Sequence, residues 1–183
     1  MTAGPFTTPP FSPMQPSGLG IVPKKTDRLR VIHHLSAPEG SSVNDGIPAD
    51  KFSLKNTHVD DAVRAIMSVG RGALLTKLDI RNAFRLIPVS PDDWPLLGIH
   101  WQNQYYFEKV LPFGLRSSPF IFNQVAEAVE WILRHQFAIP IIMHYLDDYL
   151  SVFAPSLSLA SMQRSIIEEA FTYLGVPLAL EKL

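Results

Sequence analysis

The sequence contains no cysteine, which excludes disulfide bonds, thiolate zinc sites and a thiol nucleophile. Charge is scarce and balanced: 16 Lys and Arg oppose 17 Asp and Glu, for a formal net charge of −1 over 183 residues. No global field therefore draws the chain to a polyanion or a membrane surface, and any nucleic-acid contact must rest on a local patch. Long apolar runs are missing too. The longest, 137–143, is interrupted by Pro140 and falls far short of the roughly 20 residues that cross a bilayer, so no membrane partner is expected. The first residues lack the basic start and apolar stretch of a secretory signal. The chain is expected to be intracellular, with cytoplasm and nucleus both open. The patterns GxxxxGK(S/T), HExxH and GxSxG are absent, and with them the chemistries they carry.

What remains is a chain with 46% hydrophobic residues and a mean hydropathy of +0.10. At this length that suffices for one buried core or two small interlocked lobes. Residues 1–20 crowd Pro5, Pro9, Pro10, Pro13 and Pro16 among small residues and read as an extended or disordered strap, with the folded part beginning near Ile21. Lys24, Lys25, Arg28 and Arg30 lead into Val31 and Ile32, the pattern of a basic hairpin turning at Asp27. Residues 35–55 read as a long loop. Thr57 and Asp60 resemble a capping box ahead of Val59, Ala62, Val63, Ile66 and Met67, a helical row stopped by Gly70. Residues 73–80 read as a buried strand ending in Asp79, and 96–101 with 105–111 as a hairpin around Gln102, Asn103 and Gln104.

Ser118 as N-cap and Pro119 open a second helix, with Phe122, Val125, Ala126, Val129, Ile132 and Leu133 on one face and an end near Gln136. Residues 141–144 and 149–153 read as paired strands. A third helix carries Leu159, Met162, Ile166, Ala170 and Leu174 on one face, followed by Gly175. This order predicts an α+β fold, a mainly antiparallel sheet with helices packed on one face.

Asp147 and Asp148 fall between two apolar strands, where mutual repulsion and partial burial are costly unless a cation is near. Asp79 ends another buried strand, which a central sheet brings alongside. Three converging carboxylates form an oxygen-donor site suited to magnesium. Two such ions, about 3.5 to 4 Å apart, activate an attacking oxygen and stabilise a leaving one in phosphoryl transfer. The plainer alternative is turn chemistry for Asp147 and Asp148 and a solvent-facing strand end for Asp79. His33 and His34 are neighbours in a strand and point to opposite faces, which argues against joint ligation. Trp94, Trp101 and Trp131 are expected as packing residues.

The run Tyr145-Leu146-Asp147-Asp148 resembles the Tyr-x-Asp-Asp signature of reverse transcriptases. In the same order as in that family, Lys77-Leu78-Asp79-Ile80-Arg81-Asn82-Ala83-Phe84 is similar to its first catalytic block. Leu111-Pro112-Phe113-Gly114-Leu115-Arg116-Ser117-Ser118-Pro119 is similar to its second. The match runs from about Gly18 to the C-terminus and looks closest to retrotransposon enzymes, particularly the DIRS-like, tyrosine-recombinase-bearing group.

The resemblance implies the fingers (21–60 and 88–117) and palm (61–87 and 118–183) of a right-hand polymerase. It also implies template-directed DNA synthesis from deoxynucleoside triphosphates on a primed RNA or DNA template, with two Mg2+ ions for which Mn2+ can substitute. On this basis Asp79, Asp147 and Asp148 hold the metals and the Ile80 carbonyl faces one of them. Phe84 is the steric gate against a ribonucleotide 2′-hydroxyl, where spacing alone is equally compatible with a core Phe. Lys24 and Arg30 grip the triphosphate, with Lys25 as a replacement for Lys24. Phe113 and Gly114 lie beside the nucleotide, Tyr145 and Leu146 near primer and template, and Lys182 protonates the leaving pyrophosphate.

Phe113 stands where retroviral enzymes usually carry Gln, so the sugar contact of that Gln does not carry over. The sequence stops after the block holding Lys182. The thumb, a ribonuclease H and a recombinase or integrase are expected in the remaining polyprotein rather than in this chain. One rival expectation is a catalytically inactive or repurposed fragment that binds nucleic acid or protein. A weaker one is another two-metal phosphotransferase or nuclease, against which the basic hairpin ahead of a gate-like Phe argues.

Overall fold

The computed structural model describes residues 1–23, 29–55 and 57–179. In chain order its elements are β1 (Thr2–Phe6), β2 (Pro16–Pro23), β3 (Leu29–His34), α1 (Val59–Val69), β4 (Leu74–Asp79), β5 (Gly98–Trp101), β6 (Gln104–Glu108), α2 (Ser118–His135), β7 (Ile142–Tyr145), β8 (Asp148–Phe153) and α3 (Leu157–Tyr173). They fall into two compact units, one of residues 1–53 and 84–121, the other of residues 54–83 and 122–183. Among the described residues no helix is long and apolar enough to cross a membrane.

The first unit is built on a five-stranded sheet in the order β1-β6-β5-β2-β3, antiparallel throughout except where β2 runs parallel to β5. The β5–β6 turn is tighter than expected. Gln102 and Asn103 alone form it, both at positive φ, as a two-residue hairpin demands, and Gln104 already belongs to β6. The proline-rich start is extended but is neither loose nor outside the fold. Strand β1 pairs with β6, and Phe6 and Phe11 pack on the buried Phe107, at ring separations of 5.9 and 4.8 Å, with Trp94 at 5.3 Å on the same ring. Pro5 is tolerated in β1 because that is an edge strand whose register shifts between Ala3 and Phe6.

The second unit holds a three-stranded antiparallel sheet in the order β4-β8-β7. Tyr149, Ser151 and Phe153 of β8 are buried on one face. There the Tyr149 ring stands edge-on to Phe171 of α3 at 5.2 Å, and its hydroxyl donates to the Ala126 carbonyl of α2 at 2.9 Å. Phe122, Ala126, Val129 and Leu133 supply the inward face of α2, the spacing of a helical apolar stripe. Helix α1 lines a pocket with Val59 and Ala62 beside Met143 and Leu150.

Four local expectations shift. The α1 cap lies one residue later than Thr57–Asp60: Asp61 Oδ2 accepts from the His58 backbone N–H at 2.8 Å. That bond, followed by the Arg64 partner, holds the Asp61 carboxyl below the usual range. On α1 the partly buried row is Ala62, Ile66 and Val69, while Val59, Val63 and Met67 face solvent. On α3 the buried residues are Ile167, Ala170 and Phe171, and Met162 is 54% exposed. Trp101 and Trp131, expected to pack, are 50% and 53% exposed. Only Trp94 behaves as a packing residue, with its Nε1–H donating to the Val89 carbonyl at 3.0 Å.

Candidate active site

In the second unit the register of the small sheet sets the acids. Asp79, the last residue of β4, lies directly across from Asp148, the first of β8, and Asp148 in turn lies across from Tyr145, the last of β7. Leu146 and Asp147 alone connect β7 to β8, with Leu146 at a φ of 54°. The Ile80 N–H donates to the Asp147 carbonyl at 2.9 Å, tying this turn to the end of β4. The segment after α3 closes on the same strand end. Ala179 N–H donates to the Asp79 carbonyl and Arg81 N–H to the Pro177 carbonyl, each at 2.8 Å, and Ile80 bridges Leu178.

Directly opposed like charges destabilise a sheet pair, and the described residues supply one cation against them. Lys77 Nζ lies 3.1 Å from Asp148 Oδ1, an oxygen shielded from solvent that accepts no hydrogen bond. With the Lys77 and Asp148 side chains 65% and 41% exposed, this pair contributes at most about 1 kcal/mol. Asp79 is buried. The donor set is of the hard-oxygen kind that magnesium prefers. Among the described residues, however, no group of three or more His, Asp or Glu side chains is gathered closely enough to hold a metal ion.

In the first unit a second constellation forms around the loop 111–116. The rings of Phe113 and Phe84 are 5.0 Å apart, and the Arg30 guanidinium of β3 sits over Phe113 at 5.2 Å, a cation–π distance. Gly114, at a φ of 110°, runs so close to β3 that a Cβ there would stand 2.0 Å from the His33 carbonyl oxygen. His33 N–H donates back to the Phe113 carbonyl at 3.1 Å. The buried Asn44 clamps the loop from the other side. Its Nδ2 donates to the Gly114 carbonyl and to Ser36 Oγ, and its Oδ1 accepts from the Arg116 N–H, each at 2.8 Å.

A cavity of about 290 Å³ beneath Phe113 is lined by Leu19, Val31, His33, Arg85, Glu108 and Pro112. Arg85 pairs with Glu108 at 2.8 Å, and Thr2 Oγ1 donates to Glu108 at 2.9 Å. His33 Nε2 donates to the Gly98 carbonyl at 2.9 Å, and burial lowers the His33 pKa despite that bond. His33 is buried and His34 exposed, as strand neighbours on opposite faces are.

The profile described as reverse transcriptase (RNA-dependent DNA polymerase) matches residues 22–183. The chain belongs to the reverse transcriptase family. The Pro-Pol polyprotein of simian foamy virus type 1 is 28% identical over 144 residues, which covers 78% of this chain and 11% of that polyprotein. The chain thus spans about a tenth of that relative's length. A foamy viral protease–reverse transcriptase in complex with double-stranded DNA superposes with a TM-score of 0.71 at 21% identity, over 91% of this chain and 26% of that one. The foamy viral protease–reverse transcriptase in complex with an RNA/DNA hybrid gives 0.64 at 20% identity, over 92% and 21%. The α+β fold read from the sequence is therefore a reverse transcriptase fold.

Of the residues singled out for reverse transcriptase chemistry, the structure gathers Asp79, Ile80, Tyr145, Leu146, Asp147 and Asp148 at one end of the small sheet. It gathers Arg30, Phe84, Phe113 and Gly114 around one loop. Lys24, Lys25 and Lys182 lie outside the described residues, as does Asp27. Sequence reasoning passed over Asn44 because it stands in a stretch read only as loop. The available signal was Ser42 and Asp45 at capping-box spacing around it, which the structure realises with Ser42 N–H donating to Asp45 Oδ2 at 2.9 Å.

Proposed function

We propose that this chain is the fingers and palm of an RNA-directed DNA polymerase that adds deoxynucleotides to a primer 3′-hydroxyl by two-metal nucleotidyl transfer. The observation that carries the reading is the register that sets Asp79 across from Asp148, with Asp147 in the two-residue turn pinned by the Ile80 N–H. Asp79, Asp147 and Asp148 would hold two Mg2+ ions, or Mn2+ in their place, and the metals would neutralise charge as the phosphoryl group transfers. The first unit corresponds in this reading to fingers. Its Arg30, with Lys24 or Lys25, grips the triphosphate, while Phe84 is the gate beside the sugar and Phe113 packs on it next to the nucleotide. The second unit corresponds to palm, with Lys182 as proton donor to pyrophosphate. Template and primer, RNA or DNA, follow by analogy with the foamy viral complexes. Phe113, where retroviral enzymes usually carry Gln and many retrotransposon enzymes carry Phe, supports a retrotransposon origin; a tyrosine-recombinase gene beside the coding sequence would test the narrower DIRS-like assignment.

The experiment is primer extension on an RNA template with deoxynucleotides and magnesium, comparing the chain with its Asp147→Asn variant. Extension that disappears in the variant is the expected result, and extension that survives it sinks the assignment. A second reading, a catalytically inactive nucleic-acid or protein binding module, is favoured by the Lys77–Asp148 pair, in which an ammonium stands beside a carboxylate assigned to metal. Binding of primed template without extension under any divalent ion would select it.

A further inference from the structure

The catalytic turn is held to α2 by a polar stripe that the polymerase reading does not use. Asn123, Ala126, Glu130 and Arg134 follow one another at spacings of three and four along α2 and so share a face. Each touches the β7–β8 hairpin. Arg134 Nε donates to the Ile142 carbonyl at 3.0 Å, where β7 begins, and its guanidinium pairs with Glu130 at 2.9 Å. The other Glu130 oxygen lies 2.5 Å from His144 Nδ1. Asn123 Oδ1 lies 3.2 Å from His144 Nε2, and the Ala126 carbonyl takes the Tyr149 hydroxyl.

The decisive feature is what His144 meets. It is only 8% exposed and stands one residue before Tyr145, with an oxygen at each ring nitrogen. The Asn123 amide is oriented by its own Nδ2, which donates to Glu127 Oε1 at 2.8 Å, so the oxygen is the atom turned to the ring. The imidazole is thus fixed at both nitrogens.

We propose that His144 is a positioning residue of the nucleotidyl-transfer site: held by Glu130 at one ring nitrogen and by Asn123 at the other, it locks β7 on α2 and thereby fixes the turn that carries Asp147 and leads into Asp148. The proposal rests on the polymerase reading for its functional consequence, but its structural half is independent of it. Glu130 serves as the hub, taking Arg134 on one oxygen and His144 on the other. Arg134 then extends the clamp to the first residue of the strand.

The test uses the full 183-residue chain, labelled with nitrogen-15. In amide exchange, His144→Leu should accelerate the β7–β8 amides at least tenfold relative to those of β5–β6. Equal acceleration in both would mean a general loss of stability and would also overturn it. Should His144→Leu fail to fold, His144→Gln, which keeps a donor, is measured the same way. In primer extension, His144→Gln should lower kcat at least tenfold with the KM for primed template unchanged, and a changed KM at constant kcat counts against positioning. An inert wild-type chain would defeat the polymerase reading alone, because the exchange rates need no turnover.

Discussion

Replacing Gly114 by Ala tests the close approach of the 111–116 loop to β3. Two separate costs are expected. A side chain at a φ of 110° lies in backbone space that costs roughly 1 to 3 kcal/mol. The added Cβ would also stand 2.0 Å from the His33 carbonyl oxygen, so loop or strand must give by more than an ångström. The strand is not free to do so, because His33 is held by its N–H on Phe113 and its ring on Gly98. Overpacking of this kind costs about 1 to 3 kcal/mol more. Together these give roughly 2 to 6 kcal/mol, which at a urea slope of about 1 to 3 kcal/mol per molar lowers the unfolding midpoint by at least about 0.7 M.

Two further glycines separate the costs. Gly40 has a φ of 83° with nothing within 4 Å of a built Cβ, and Gly18 has open space and no positive φ. Gly40→Ala should show the backbone cost alone, and Gly18→Ala should stay within about 0.5 kcal/mol of wild type. If Gly114→Ala unfolds at the same urea concentration as Gly40→Ala, the clash does not exist and the argument for the loop's placement fails.

Asn44→Ala removes three hydrogen bonds and strands the Gly114 carbonyl and the Arg116 N–H. It should cost roughly 2 to 4 kcal/mol in urea unfolding and raise the deoxynucleotide KM more than that for primer. Tyr149→Phe takes the buried donor from the Ala126 carbonyl and should cost about 1 to 3 kcal/mol, read from the same curves. His33 has a folded pKa below its ordinary 6.5. The unfolded chain therefore binds the extra proton first as pH falls, and the contribution is complete above 6.5 and declines between 6.5 and the lower folded value. Urea midpoints at pH 7.5 and 5.5 should differ more for wild type than for His33→Gln, and equal differences would exclude His33 as the source.

The sequence made the second unit more legible than the first, for physical reasons. Around Asp147 and Asp148, short apolar strands alternate with turn residues, and strand pairing there is local. Strand β1 finds β6 a hundred residues away, with Thr2 opposite Glu108, and no local pattern signals that partner. Proline content suggested looseness because it marks missing donors, but only Pro5 falls within the edge strand β1, and Phe6 and Phe11 supply the burial that holds the segment. The α3 stripe was misplaced at Met162 because a mostly small and polar helix offers several weak rows of similar hydrophobicity. At the site, the acids were recognisable by type and order. The contacts that brace each unit, Glu130 on His144 in the second and Asn44 on Gly114 in the first, are tertiary hydrogen bonds that leave no periodic trace.

The two-residue connection between β7 and β8 behaves as a ruler. Because strand side chains alternate in direction, one inserted residue at Leu146 or Asp147 would turn every residue of β8 to the opposite face. Tyr149, which is fully buried, would be driven into water, and Asp148 and Leu150 would be pushed towards α2 and α3. Variation in this hairpin is therefore confined to spelling: letters can change at position 146, but the word cannot lengthen without exchanging its core for its chemistry.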